Sequence, residues 1–252
     1  MTPLMMLLLC LVMLGTSFLS GVFGMAGGLI LIGVLLVLLP VQTAMVLHAV
    51  TQIASNGWRG LLWRKHVRWA PVAAYVAGCV IALSAWSLFR YVPSTPVALI
   101  FLGVSPLMVK LFPANWAPNP ESRVQGVVYG TACMTMMLLT GVAGPLVDQF
   151  FLGGKLDRRE IVATKAMCQI ISHTLKLAYF GGIIEQAGTL DPMLAGLAIL
   201  SSMVGTTVAK RFLEMMSDRQ FRVWANRIIA TICGYYIIHG TTMLIISETA
   251  AR

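Results

Sequence analysis

The chain has 252 residues, 58% of them hydrophobic and only 11% charged, with a mean hydropathy of +0.83. A soluble domain carries about 25% charged residues, so the composition excludes an ordinary soluble globule and points to a polytopic membrane protein. Eighteen Lys and Arg against nine Asp and Glu leave a net charge of +9. These cations are spread over short links and form no basic domain, which argues against nucleic acid as a partner.

Residues 1–58 contain no Asp, Glu, Lys or Arg, and Arg59 is the first charge. The start of the chain lacks the basic n-region of a signal peptide, so its apolar run is expected to be a mature transmembrane segment. Apolar runs follow at 4–39, 42–63, 69–89, 95–112, 123–152, 160–181, 190–209 and 223–247. Roughly 20 apolar residues cross a bilayer, so the fold class expected is all-α, with about eight transmembrane segments. The Pro- and Asn-rich stretch 113–120 reads as a linker between a first membrane unit, 1–112, and a second, 121–252, together one transmembrane domain.

Two runs are too long for one straight span. Residues 4–39 would make a helix of about 54 Å, against a hydrocarbon core of about 30 Å. The sequence supplies a break at Ser20-Gly21-Val22-Phe23-Gly24-Met25-Ala26-Gly27-Gly28, and 123–152 has one at Thr140-Gly141-Val142-Ala143-Gly144-Pro145. The breaks align at an offset of 117 residues. The same offset lays His48, Gln52, Ser55, Asn56 and Arg59 over Lys165, Gln169, Ser172, His173 and Lys176. A register shared over so long a stretch implies duplication, a common build of secondary transporters.

The link at 64–68 is basic while its counterpart at 181–189 has no Lys or Arg; the link at 40–42 is neutral while Lys155, Arg158 and Arg159 mark its counterpart. By the positive-inside rule, the two halves are expected to be inverted across the membrane. Run 123–152 must then enter and leave on one side. Lys210, Arg211, Arg219 and Arg222 are expected near anionic lipid on the cytoplasmic face.

The segment after each break carries a polar stripe at helical spacing: His48, Thr51, Gln52, Ser55, Asn56 and Arg59, then Lys165, Cys168, Gln169, Ser172, His173 and Lys176. Polar groups in hydrocarbon must face a cavity or another helix. The stripes are cationic and lack carboxylates, so a cavity lined by them would attract an anion. Broken helices also expose backbone N–H groups, and helix N-termini bind anions. The expected substrate-binding residues are Gly24, Gly27, Gly28, Gln52, Asn56, Arg59, Gly141, Gly144, Lys165, Gln169, His173 and Lys176. The alternative for the glycines is close helix packing, and for the stripes interhelical hydrogen bonding. Asp148 either pairs with Lys165 or couples a proton, and His48 and His173 are further candidates for proton coupling.

His239 and the Met134–Met137 stretch read as structural, and His66 sits in a basic link. Cys10, Cys79, Cys133, Cys168 and Cys233 all lie in apolar segments without metal-ligand spacing, so neither a disulfide framework nor a metal or other cofactor is expected. No His-Glu-x-x-His, Gly-x-Ser-x-Gly or Walker A motif occurs, and adjacent Ser172 and His173 point about 100° apart on a helix. No enzyme activity and no catalytic residue is expected.

The first break after an apolar run, the second break, Val162-Ala163-Thr164-Lys165-Ala166, His173 and Lys176-Leu177-Ala178-Tyr179-Phe180-Gly181 together resemble the sulfite exporter TauE/SafE family of permeases. The resemblance implies a multi-pass protein of the bacterial inner membrane. It also implies proton-coupled passage of a small anion, typically a sulfur oxyanion or organosulfonate. The rival readings are an anion channel and a non-transporting membrane scaffold or assembly subunit. The anion, the direction of flux and homo-oligomerisation are left open.

Overall fold

The computed structural model describes residues 2–23, 26–110, 118–152, 156–184, 191–215 and 218–250. Gly24, Lys155, most of the linker and most of link 181–189 lie outside these. The described residues form helices α1 (Pro3–Phe23), α2 (Ala26–Leu38), α3 (Val41–Leu62), α4 (Trp69–Phe89), α5 (Thr95–Lys110), α6 (Arg123–Thr140), α7 (Gly144–Leu152), α8 (Arg158–Ala178), α9 (Pro192–Met215) and α10 (Asp218–Ala250). Short turns at Arg64–His66 and Tyr179–Ile183 complete the helical structure. No strand occurs among the described residues.

By length and apolarity alone, four helices among the described residues can cross a membrane: α1, α4, α9 and α10. The protein is therefore an all-helical, multi-pass membrane protein. Each exposes large apolar side chains, as lipid-facing surfaces do: Leu7 and Leu11 on α1, Ile81 and Leu88 on α4, Leu200 and Val204 on α9, Ile238 and Ile245 on α10. Helices α3 and α8 fall short of that test because their polar stripes lower their apolarity, and most of each stripe is buried.

Four helix pairs dominate the packing: α1 with α9, α4 with α6, α3 with α8 and α5 with α10. Their directions follow from individual contacts. Gly21 meets Ala209 and Gly205 meets Leu14, so α1 and α9 run parallel. Gly126 meets Ala74 and Thr131 donates to the Gly78 carbonyl at 3.2 Å, so α4 and α6 are also parallel. His48 reaches Lys176 while Gly60 meets Ala166, making α3 and α8 antiparallel. Gly103 meets Ile237 and Gly240 meets Pro96, making α5 and α10 antiparallel.

The second break falls within its expected stretch. Helix α6 ends at Thr140, Gly141 takes a left-handed φ of 88°, and α7 begins at Gly144 with Pro145 in its first turn. The Thr140 hydroxyl accepts from the Val142 amide at 3.3 Å and lies 2.9 Å from both the Met136 and Val142 carbonyls. One side chain thus satisfies much of the backbone that the break exposes. Gly27 at the start of α2 packs back on Thr16 and Ser20 of α1, so α1 and α2 do not form one straight span.

Arg68 joins both ends of the broken run. Its guanidinium contacts Glu160 at 3.1 Å and Glu121 at 3.4 Å, and its amide donates to Thr164 at 3.0 Å. The starts of α4, α6 and α8 therefore lie at one level. Asp157 caps α8 by accepting from the Arg159 and Glu160 amides at 2.7 and 2.9 Å. The Glu160 amide, then that of Arg159, hold its carboxyl below the usual value. The cap is therefore intact at neutral pH and is lost only as pH falls through that lowered value.

Close approach of α4 and α6 depends on glycine. A methyl group at Gly78 would run into the Val127 carbonyl, and one at Gly130 into that of Tyr75, whereas one at Gly57 would meet nothing within 4 Å. Gly130→Val should destabilise the protein by about 1–3 kcal/mol through overpacking, and Gly57→Ala should not. Thermal unfolding in detergent distinguishes the two; equal melting temperatures would contradict this packing.

Candidate functional site

The two breaks and the two stripes meet at one cavity of about 30 Å³. A water needs about 10–15 Å³ on this scale, so there is room for a small polyatomic ion. Four stretches of chain form the wall. Helix α1 and the start of α2 contribute Ser20, Gly28 and Leu29; α3 contributes His48, Gln52, Asn56 and Arg59. The second break supplies Val142, Ala143, Gly144 and Pro145, and α8 supplies Lys165, Gln169 and His173.

Each stripe is divided between cavity and packing. On α3, Thr51 donates to the Leu47 carbonyl at 2.8 Å, and Ser55 meets Thr206 of α9 at 3.1 Å. On α8, Ser172 bonds the Tyr75 hydroxyl at 3.1 Å, and Cys168 is fully buried. Ser55 and Ser172 bond to neighbouring helices, the interhelical alternative, while Thr51 and Cys168 are buried in the packing. The remainder of each stripe lines the cavity, apart from Lys176.

Lys176 was expected on the wall but lies behind it. It is fully buried, and its ammonium donates to Nδ1 of His48 at 2.8 Å and to the Gly141 carbonyl at 2.9 Å. His48 Nε2 is 3.0 Å from the Gly28 carbonyl. A carbonyl only accepts, so Nε2 carries the proton and Nδ1 is free to accept from Lys176. The result is a continuous bridge from Gly28 in the first broken segment, through His48 and Lys176, to Gly141 in the second.

Lys165 is paired with Asp148, each side chain about one-fifth exposed, which is the simpler of the two expected roles for this carboxylate. The Arg59 guanidinium has no hydrogen-bonded acceptor among the described residues, and Asp148 is the carboxylate that acts on it electrostatically. Asn56 donates to the Gln52 carbonyl at 2.9 Å. His173 is 3% exposed, its ring lies 5.4 Å from that of His48, and its Nδ1 has no partner among the described residues.

The glycines also divide. Gly28 faces Gln52 across the cavity, whereas Gly27 packs on α1, where a methyl group would strike the Thr16 carbonyl. Gly144 lines the cavity; Gly141 does not, and its positive φ and its carbonyl serve the turn. Ser20, Leu29, Val142, Ala143 and Pro145 line the cavity without having been singled out as site residues. All lie in or beside the two Gly-rich stretches, and that adjacency was the available signal.

The family model for sulfite exporter TauE/SafE matches residues 8–236. The chain belongs to the sulfite exporter TauE/SafE family. No curated protein and no solved structure matches it. Membership places it among membrane transporters of sulfur compounds. The family-like stretch Lys176–Gly181 has two structural duties here. Lys176 holds the bridge, and the buried Tyr179 donates to the Tyr91 carbonyl at 2.8 Å, tying the end of α8 to the link after α4.

Replacing Lys176 with methionine leaves His48 Nδ1 and the Gly141 carbonyl buried without their donor. An unsatisfied buried group costs about 1–3 kcal/mol, so Lys176→Met should lower the melting temperature clearly. Stability equal to wild type would contradict the bridge.

Proposed function

We propose that the protein carries a small anion, a sulfur oxyanion or an organosulfonate, across the bacterial inner membrane by proton-coupled alternating access. The observation that carries this is the convergence of both Gly-rich breaks and both stripes on one cavity. Arg59 and Lys165 supply positive charge, and Gln52, Asn56, Gln169 and His173 supply hydrogen bonds. The N-terminus of α7 adds partial positive charge beside Gly144. Gly28 allows the backbone to approach the ion.

The halves 1–112 and 121–252 are read as repeats inverted about an axis in the membrane plane. Helix α3 would correspond to α8 and α5 to α10, and each corresponding pair packs antiparallel, as inversion requires. A repeat related by an axis along the membrane normal would make those pairs parallel. The remaining contacts support the same exchange, since α1 lies on α9 as α6 lies on α4. Counting the broken segments α1–α2 and α6–α7 as one each gives eight segments. Rocking of these halves around a fixed site would alternate its access.

In this arrangement the links at 64–68 and 156–159 and the start of α10 share the cytoplasmic side, where Arg64, Lys65, Arg68, Arg159 and Arg227 lie. Both chain ends fall on the opposite side. Reporter fusions should place residues 64–68 inside and 92–94 outside; the reverse would contradict the topology.

Asp148, His48 and His173 are the groups assigned to proton coupling. Proteoliposomes containing the purified protein should take up sulfite or an organosulfonate saturably and in response to a pH gradient. Lys165→Ala should reduce that flux by about tenfold or more, the loss of one charge-assisted contact, while inserting normally. Flux that neither saturates nor responds to the gradient would favour a channel. Unchanged flux in Lys165→Ala would remove this residue from the site.

A further inference from the structure

The cavity holds more cationic groups than an anion can meet. Of the nine acidic residues, Asp148 alone lies inside an apolar run away from its ends, and its carboxylate is engaged with Lys165. Lys176 is excluded from the wall and held by two neutral acceptors. Arg59 lines the wall with no hydrogen-bonded acceptor among the described residues. Cancelling Lys165 against Asp148 leaves one net positive charge on the wall itself, that of Arg59; the Lys176 ammonium stands behind His48 and adds to the field without touching the ion.

The other groups facing this space are matched to one charge as well. His173 is 3% exposed and presents an unpartnered Nδ1, and α7 brings the N-terminus of a nine-residue helix to the cavity at Gly144. A neutral imidazole and a helix N-terminus give hydrogen bonds and partial charge, not a second full cation. A second negative charge would be buried without a partner and repelled by Asp148.

Resting on the anion-transport reading above, we infer that the cavity takes a singly charged anion in preference to a doubly charged one, and that Asp148 sets this preference by cancelling Lys165. Asp148 is thereby a specificity-determining residue. Singly charged sulfonates and hydrogensulfite fit the site, and sulfate does not.

Methanesulfonate and sulfate test this directly. Both are small tetrahedral oxyanions, and they carry one and two charges throughout the neutral pH range. Calorimetric binding to purified wild-type protein should favour methanesulfonate by about tenfold or more. Asp148→Asn frees Lys165 and should move the affinity ratio toward sulfate by about tenfold. Lys165→Gln should weaken both anions, and Lys165→Gln with Asp148→Asn should recover part of the methanesulfonate binding, because the wall regains one net positive charge though not the Lys165 contact. Should Asp148→Asn not fold, the wild-type ratio and the double variant decide. A wild-type preference for sulfate overturns the inference and leaves the anion reading standing. So does an unmoved ratio in folded Asp148→Asn, or a double variant as weak as Lys165→Gln. Failure of wild type to bind either anion overturns both.

Discussion

The structure depends on a hydrogen-bonded bridge buried at the centre of the bundle. Breaking two helices inside hydrocarbon exposes backbone polar groups that have no water to turn to. Lys176 answers at one break through the Gly141 carbonyl, and His48 reaches the Gly28 carbonyl in the first turn of α2, beside the other. The two side chains then bond one another. Each also satisfies the other's remaining requirement: an ammonium needs acceptors, and a neutral imidazole has one acceptor nitrogen to offer. The bridge fixes the distance between the breaks, and so fixes the width of the cavity in front of it.

The offset of 117 residues places Lys165 and Arg59 where His48 and Lys176 stand in the other half. Both pairs lie across the same antiparallel contact of α3 with α8. Their chemistry differs. One pair is a closed, fully buried bridge with neutral acceptors. The other faces the cavity and has acquired a carboxylate, Asp148. One end of the α3–α8 contact is thus a fastening and the other a charged surface, the asymmetry a binding site needs.

Much of this was legible in the residues. The glycine-rich stretches marked the breaks because a run of apolar residues longer than the bilayer has to bend or stop. Helical spacing gathered His48, Gln52, Asn56 and Arg59 on one face, and the repeat supplied their partners on α8. Spacing does not say which edge of a stripe meets the cavity and which meets a neighbouring helix. Ser55 faces Thr206 and Ser172 faces Tyr75, contacts made across residues far apart in sequence. Lys176 was read as a ligand because a cation in an apolar helix invites that reading. Its removal from the wall depends on His48, 128 residues away. Gly27 and Gly28 are neighbours with the same side chain, and only the position of α1 separates packing from lining.

The central claim is that this single cavity, assembled from both halves, holds the anion. Selenite is a close analogue of sulfite and scatters anomalously. Crystals of the protein grown with it should show an anomalous peak between Arg59 of α3 and the N-terminus of α7, within hydrogen-bonding distance of Lys165 or His173. A peak confined to another part of the molecule, or an empty cavity at saturating selenite, would contradict the account.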